Sequence, residues 1–364
     1  MRGWPAGRLR GLKMTLDGIG TMTERLADIA AAMVADGKGL LAADESSDTI
    51  KKRFDTIGLE STADSRRDYR EMLFTADEAM TKYISGVILY DETIHQAARD
   101  GTPLVDLIRK AGSIPGIKVD KGAKPLPGFP GEKVTEGLDG LRERLKTYYG
   151  LGARFSKWRA VVDIADGLPT YGALRANVQA LARYAALCQE AGIVPIVEPE
   201  VLMDGPNSSH DIDTCYAVTE QTLKLLFEEL FIARVDLEGT ILKPNMVVPG
   251  QKSPVQASPE QVAELTVKLF KATVPVAVPG IAFLSGGQSD ELATQHLSLI
   301  NELGPHPWKI TFSYGRALQA AALKAWDGKD ANVPAAHKAF NHRARMNWLA
   351  GNGKWTTAEE RQAA

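Results

Sequence analysis

Short apolar stretches alternate with longer amphipathic segments along most of this chain. We interpret the apolar stretches as strands, and they cover residues 39–46, 85–93, 114–122, 154–163, 194–202, 240–248, 276–287 and 308–317. Helical patterns lie between them, for example over 174–192 and 259–274. Strands that alternate with helices are typical of parallel sheets. Eight such units predict an α/β fold of the TIM (β/α)8 barrel type. A doubly wound open sheet is the alternative, but no GxGxxG motif follows an early strand.

The two ends of the chain differ from this repeating region. Residues 1–21 begin with a basic stretch that lacks the apolar core of a secretory signal, and we expect a disordered extension there. Met14 and Met22 are alternative start sites. We expect a single barrel domain over 22–340 and a C-terminal tail over 341–364. Within 331–349 we predict one more helix, and the polar residues from 351 onward predict a mobile end.

Composition and charge exclude several classes of protein. The formal net charge of −2 on 364 residues gives no general attraction to nucleic acid or to an anionic membrane. No apolar run is long enough to span a bilayer. Cys188 and Cys215 are far apart, which suits a reducing compartment and predicts a cytoplasmic protein. The six histidines lack metal-ligand spacing, so we predict no zinc site.

Charged residues concentrate where the predicted strands end. In a TIM barrel the reactive residues project from the carboxyl ends of the strands. Lys157 and Arg159 are two residues apart on one strand, and Glu198 and Glu200 on the next, so each pair shares one face. Any single strand-end carboxylate is more often an ion-pair partner or a helix cap. So many charges at the same end of so many strands nevertheless favour an active site.

Lys243 is unusual because apolar residues flank it in the stretch TILKPNMVV (240–248). Burial disfavours the charged amine, and a neighbouring cation such as Lys157 would disfavour it further. A neutral amine attacks ketones and forms a Schiff base. Pro244 cannot donate a ladder hydrogen bond, so we expect the strand to end there. The alternative is a lysine that reaches the barrel mouth and simply pairs with Glu198.

Two groups of residues indicate phosphate binding. The glycines of FLSGGQ (283–288) and a helix that starts near Arg316 offer backbone N–H groups to an anion. Loops after the last two strands are the usual phosphate site of this fold. Lys118, Lys52 and Arg53 form a second basic group on earlier strands and loops. Two phosphate sites across one barrel mouth predict a bisphosphate substrate.

Together these motifs resemble the class I fructose-1,6-bisphosphate aldolases. The resemblance extends from about residue 22 to residue 326 and rests on GLLAADES, IKVDKG, FSKWRAV, VEPE, LKPNMV, FLSGGQS and TFSYGRALQAAALKAW. It implies a TIM barrel, a homotetramer, and no requirement for a metal or an organic cofactor. The implied activity is that of a lyase of glycolysis and gluconeogenesis. It cleaves fructose 1,6-bisphosphate reversibly into dihydroxyacetone phosphate and glyceraldehyde 3-phosphate.

The resemblance also implies a role for individual residues. Lys243 matches the Schiff-base lysine, Glu198 the acid/base of imine formation, and Asp44 the base that removes the C4 hydroxyl proton. Lys157 matches the lysine that tunes this site electrostatically, and Glu200 its supporting carboxylate. The C1 phosphate would bind at Ser285, Gly286, Gly315 and Arg316. The C6 phosphate would bind at Ser46, Thr49, Lys118 and Arg159, and Lys52, Arg53 and Ser313 complete the predicted substrate-binding set.

Departures from the family pattern and competing functions leave alternatives open. Asp48 and Thr49 stand where many members of the family have glycine and serine, and an acid there could weaken binding of the C6 phosphate. No tyrosine follows Tyr314, although many members protonate the enamine with a terminal tyrosine, so Glu198 or water would have to act. Fructose 1-phosphate and sedoheptulose 1,7-bisphosphate would use the same lysine. A non-catalytic scaffold would be expected to lack Lys243, Glu198 or Asp44, and a metal-dependent aldolase would need clustered histidines.

Overall fold

The structure is a computed structural model that describes residues 25–362. The extension predicted over 1–21 lies outside the described residues. The strands are β1 Gly39–Ala43, β2 Ile84–Leu89, β3 Ile114–Lys118, β4 Ala123–Pro125, β5 Lys133–Thr135, β6 Phe155–Val162, β7 Val194–Val201, β8 Ile241–Leu242, β9 Gly280–Phe283 and β10 Lys309–Tyr314. The helices are α1 Leu26–Met33, α2 Ser47–Asp55, α3 Ala63–Phe74, α4 Asp91–Ile94, α5 Leu104–Lys110, α6 Leu141–Gly150, α7 Tyr171–Glu190, α8 Ile212–Ile232, α9 Pro259–Thr273, α10 Asp290–Glu302, α11 Arg316–Trp326, α12 Val333–Gly351 and α13 Thr357–Gln362.

Eight of the strands close into a parallel barrel. Their order around it is β1, β10, β9, β8, β7, β6, β3, β2 and back to β1. Each of the eight apolar stretches identified in the sequence overlaps one of these strands, which confirms the predicted TIM barrel. The sequence prediction missed the antiparallel hairpin β4–β5, which follows β3 outside the barrel.

Alternate residues of each strand face two different cores. Leu40 and Ala42 of β1 belong to a cluster inside the barrel, and α1 contributes to that cluster by packing Ile29 and Met33 against it. Leu41 and Ala43 belong to the larger cluster between the barrel and the surrounding helices. This alternation follows from the two-residue period of a strand. It also decides which polar residues, farther along each strand, point into the barrel mouth.

Strand β8 is much shorter than the predicted stretch 240–248. The pairing with β7 continues only to Lys243, whose backbone N–H donates to Val197 O at 2.9 Å. Pro244 has no N–H to donate, so this pairing stops there, as predicted, while its carbonyl still accepts from Leu284 N at 3.2 Å. Asn245 takes over with its side chain, because its Oδ1 accepts from Val201 N at 3.0 Å.

The C-terminal residues pack against the barrel. Helix α12 spans the boundary that we predicted at residue 340, and the buried Phe340 and Met346 anchor it. The prediction of a mobile end is wrong as far as residue 362, because α13 forms there and makes specific contacts. Trp355 Nε1 donates to Glu360 Oε2 at 2.8 Å, and Glu360 forms an ion pair with the buried Arg343.

Candidate active site

A polar cavity of about 240 Å³ opens at the carboxyl ends of the barrel strands. Its walls contain four of the charged residues that continue the inward-facing rows of their strands. Phe155 and Val194 lie in the inner core, and Lys157 and Glu198 follow them with the same parity. Strand residues alternate between two faces, so each second residue points inward. Along a strand, the inward-facing residues therefore change from apolar in the barrel interior to charged at its mouth. The same rule brings Asp44 above Ala42, and Lys243 above Ile241.

Four buried charges of alternating sign form a continuous chain of contacts. Lys243 Nζ lies 3.1 Å from Glu198 Oε1, and the other oxygen of Glu198 lies 3.3 Å from Lys157 Nζ. Lys157 Nζ also lies 2.8 Å from Asp44 Oδ2. Asp44 is 9% exposed and the other three side chains are less exposed still. Lys243 is therefore a buried amine in contact with a carboxylate and not a lysine that reaches solvent.

The charges of these neighbours determine the protonation of the two acids. Burial alone would raise the pKa of Asp44, but the ammonium groups of Lys157, Lys118 and Lys243 outweigh it and hold that pKa well below its ordinary value. Glu198 is similar, since burial opposes its ionisation while Lys157 and Lys243 lower its pKa. Both carboxylates are thus ionised at neutral pH and can accept protons.

Lys157 is the neighbouring cation that the sequence predicted, and it is itself in contact with two acids. Burial would lower its pKa, but Asp44 and Glu198 raise it well above the ordinary value. Its positive charge lies between two carboxylates, where it holds both of them in place. Its effect on Lys243 is therefore exerted together with those two negative charges.

Glu200 supports the site from the next inward position of β7. Its carboxylate forms a short ion pair with Arg159, which lines the same cavity. Burial would lower the pKa of Arg159, but Glu200 raises it, so the guanidinium remains charged. The two i, i+2 pairs identified in the sequence, on β6 and β7, therefore do share one face.

Both predicted phosphate-binding groups reach the cavity, with one exception. Ser285, Gly286, Ser313, Gly315 and Arg316 line it from the side of β9 and β10. Ser46, Thr49, Arg53, Lys118 and Arg159 also line it. Lys52 is exposed on α2 and does not line the cavity. Its predicted role in substrate binding therefore has no support in the structure, because the inward face of α2 carries Thr49 and Arg53 instead.

Arg53 lies beside the phosphate-binding residues that follow β10, although the sequence pattern grouped it with Lys118 instead. A Cβ atom on Gly315 would lie 3.5 Å from Arg53 Nη2, so the guanidinium is next to the loop after β10. The sequence grouped Arg53 with Lys118 because both belong to the early part of the chain. Barrel closure makes β1 and β10 neighbours, which moves Arg53 to the side of Gly315 and Arg316.

Glu45 is a site residue that the sequence reasoning missed. It lines the cavity, and its buried carboxylate pairs with Arg53 and Arg70 and accepts from Gln319 Nε2 at 3.0 Å. The adjacent acids Asp44 and Glu45 in the buried stretch AADES were the available signal. Consecutive strand-end side chains face opposite ways, so the second acid contacts the outer helices while the first faces the barrel axis.

Comparison with known proteins identifies the family. A family model described as fructose-bisphosphate aldolase class-I (glycolytic) matches residues 25–364. The chain belongs to the class I fructose-bisphosphate aldolase family. It is 57% identical to a probable fructose-bisphosphate aldolase class 1 of Xanthomonas axonopodis pv. citri, over 91% of this chain and 98% of the relative. It is 51% identical to fructose-bisphosphate aldolase C of Rattus norvegicus, over 94% and 93%.

A solved aldolase has the same fold. The fructose-bisphosphate aldolase of Plasmodium falciparum, solved in complex with TRAP and a small-molecule inhibitor, superposes with a TM-score of 0.88. It is 50% identical in sequence, and the match covers 91% of this chain and 95% of that one. Among residues 25–362, no cluster of three or more His, Cys, Asp or Glu side chains is arranged to hold a metal ion. None of the helices in that range is long and apolar enough to cross a membrane.

Proposed function

We propose that this aldolase cleaves fructose 1,6-bisphosphate through a Schiff base on Lys243. The observation that carries the proposal is the contact between the Lys243 amine and Glu198 inside the cavity, at 3.1 Å. An amine must lose a proton before it attacks a ketone, and a carboxylate at hydrogen-bonding distance can accept it. Glu198 is ionised and buried, so it is suited to that task.

Imine formation needs one residue that moves protons in both directions. Lys243 would attack C2 of the open-chain sugar, and Glu198 would carry two protons in turn from the nitrogen to the C2 oxygen. The first proton gives the carbinolamine hydroxyl, and the second lets that hydroxyl leave as water. The product is an iminium ion that links C2 to the lysine nitrogen. Lys157, which contacts the other oxygen of Glu198, keeps the carboxylate aimed at this position.

Bond cleavage needs a second base on the opposite side of Lys157. Asp44 would remove the proton of the C4 hydroxyl, and its low pKa keeps it ionised at neutral pH. The C3–C4 bond then breaks, and its electron pair moves to the iminium nitrogen to give an enamine. Glyceraldehyde 3-phosphate leaves. Protonation of the enamine at C3 and hydrolysis of the imine then release dihydroxyacetone phosphate and the free lysine.

The two sides of the cavity would hold the two phosphates. Ser285, Gly286, Ser313, Gly315 and Arg316, joined by Arg53, would bind the C1 phosphate. Helix α11 begins at Arg316, so its positive end adds to this site. Ser46, Thr49, Lys118 and Arg159 would bind the C6 phosphate. A substrate held at both ends places C2 and C4 between Lys243 and Asp44, which is the orientation that the reaction needs.

Borohydride trapping tests the proposal. The protein is incubated with dihydroxyacetone phosphate, reduced, digested, and searched by mass for a modified lysine. We expect an adduct on Lys243 and loss of cleavage by several orders of magnitude in Lys243→Met, with phosphate binding retained because only the amine is removed. Lys252→Met, which changes an exposed lysine in the following loop, is the matched control and should behave like the unmodified protein.

Each result of the trapping experiment has a distinct meaning. Near-normal turnover by Lys243→Met would refute the Schiff-base assignment. An adduct on Lys157 would keep the reaction class but change the nucleophile. The relative kcat/KM values for fructose 1,6-bisphosphate, fructose 1-phosphate and sedoheptulose 1,7-bisphosphate would then show which ketose the cavity prefers.

The setting in which the enzyme works is part of the same proposal. We infer a homotetramer, as the family resemblance implies. The highly exposed Phe231 and Ile232 at the end of α8 support a covered surface there. A cytoplasmic location is supported by the two free, buried cysteines.

A further inference from the structure

We propose that Glu360, in the C-terminal helix α13, is a positioning residue for the phosphate-binding Arg316. Its influence passes through the buried Arg343 and through Asp290 at the start of α10. This inference deepens the proposed function and rests on it for the role of Arg316. It assigns to the end of the chain a task in substrate binding.

The first step is the anchoring of α13 on α12. The Glu360 carboxylate forms an ion pair with Arg343. It also lies 3.0 Å from His342 Nε2 and accepts from Trp355 Nε1 at 2.8 Å. Burial would raise the pKa of Glu360, but Arg343 and the hydrogen bonds from Trp355 and His342 lower it, so the group stays charged. Three donor contacts to one carboxylate fix the helix in place.

The second step is the contact from Arg343 to α10. Arg343 is only 4% exposed, and Nη2 donates to Asp290 O at 3.0 Å and to Thr294 Oγ1 at 2.6 Å. Among the described residues, Glu360 is the acid with which Arg343 forms an ion pair. Its guanidinium is thus neutralised on one side and fastens the first turn of α10 on the other.

The third step reaches the active-site cavity. The Asp290 carboxylate lies 2.7 Å from Arg316 Nη1, and Arg316 Nη2 donates to Gln288 O. Arg316 lines the cavity, yet its side chain is 48% exposed. A long, half-exposed side chain loses considerable freedom when it binds phosphate, so a partner that limits this freedom beforehand favours binding.

Loss of the Glu360 charge would disturb this arrangement in a defined way. Arg343 would become a buried cation without a counter-ion, which is strongly unfavourable. It would then have to move toward solvent or recruit an acid from the turn that it already contacts, where Asp290 is the first residue. Either change releases Arg316 from its present position.

The test compares two neighbouring glutamates of α13. Glu360→Gln removes the proposed positioning charge. Glu359→Gln removes the charge of a residue that pairs with Arg345 at 2.8 Å instead, and it is the matched control. For Glu360→Gln we expect KM for fructose 1,6-bisphosphate to rise about three- to tenfold, with kcat within about twofold of normal. Affinity for inorganic phosphate, measured by calorimetry, should fall by a similar factor, and Glu359→Gln should change neither quantity.

A second arm asks whether the effect passes through Arg316. In an Arg316→Ala background, Glu360→Gln should cause no further loss of phosphate affinity, because the residue that it positions is already gone. If Glu360→Gln does not fold, the double variant Glu360→Met with Arg343→Met removes the pair without leaving a buried charge. It should fold and show the same rise in KM.

Several outcomes would overturn the inference. One is a Glu360→Gln protein that unfolds at a lower temperature but keeps normal KM and phosphate affinity, which would make Glu360 merely structural. Another is an equal loss of phosphate affinity with and without Arg316. If the unmodified protein failed to cleave the sugar, the proposed function would fail, while the calorimetric comparison would still decide the role of Glu360.

Discussion

At the scale of single residues, the active site depends on strand parity. Lys157 and Glu198 follow buried apolar residues in the inward-facing rows of their strands, so the sequence predicts that both side chains point into the barrel. The sequence does not predict which side chains on neighbouring strands are in contact. That Lys157 lies between Asp44 and Glu198 depends on which strands are neighbours and how they are staggered.

Lys157 offers a residue-scale prediction about pH. In Lys157→Met, burial would dominate at Asp44 once the nearest ammonium is gone, so the pKa of Asp44 should rise. A base with a raised pKa is protonated at higher pH, and the acidic limb of the kcat/KM profile should therefore move to higher pH. We also expect activity at neutral pH to fall about a hundredfold or more.

The control for this prediction is Lys121→Met, which changes an exposed lysine on the loop after β3. Its pH profile should match that of the unmodified protein. If the acidic limb in Lys157→Met stayed where it was, Lys157 would not be what holds Asp44 ionised, and the electrostatic account of the site would have to be revised.

At the scale of elements, the loop after β9 is shaped by a tight glycine turn. Gly287 has φ +72°, and a Cβ there would lie 2.2 Å from Met203 Cγ. Met203 is buried, so a side chain at 287 would have to displace either that residue or the loop. The loop carries Ser285 and Gly286 into the cavity, and its position therefore matters for phosphate binding.

Gly287→Ala should consequently be destabilised and bind substrate poorly. We expect about 1–3 kcal/mol from crowding in addition to about 1–2 kcal/mol from the left-handed backbone, with a several-fold higher KM. Gly167→Ala isolates the backbone contribution, because Gly167 has φ +71° and open space around it. Chemical denaturation and steady-state kinetics on both variants measure the two effects, and equal destabilisation would show that the contact with Met203 is unimportant.

Element boundaries show where periodicity stops being informative. The apolar run 240–248 continues well past the end of β8 at Leu242, and only Pro244 predicted that early end. The Asn245 side chain takes over the pairing with β7 beyond it. The polar end of the chain was predicted to be mobile. Its helix α13 is held by Glu360 and Arg343, which lie 17 residues apart in the sequence, and no local pattern signals such a pair.

At the scale of the whole molecule, the chain mass gives a direct test of assembly. Sedimentation equilibrium should return four times 39.4 kDa if the proposed homotetramer forms. The physical reason is that Phe231 and Ile232, which are 84% and 59% exposed, would be covered by a neighbouring copy. A mass equal to that of one chain across a wide range of concentrations would contradict the tetramer.

The amino-acid sequence by itself determined the kind of fold and the chemistry. Eight apolar stretches separated by helices predict a barrel, and the inward parity of each stretch determines which polar side chains face the mouth. The tertiary structure alone decided which of those side chains meet. Closure makes β1 and β10 neighbours, which brings Arg53 to Gly315, leaves Lys52 in solvent, and connects Glu360 to the phosphate side through Arg343. Contacts of this kind join residues far apart along the chain, and their geometry arises only when the barrel closes.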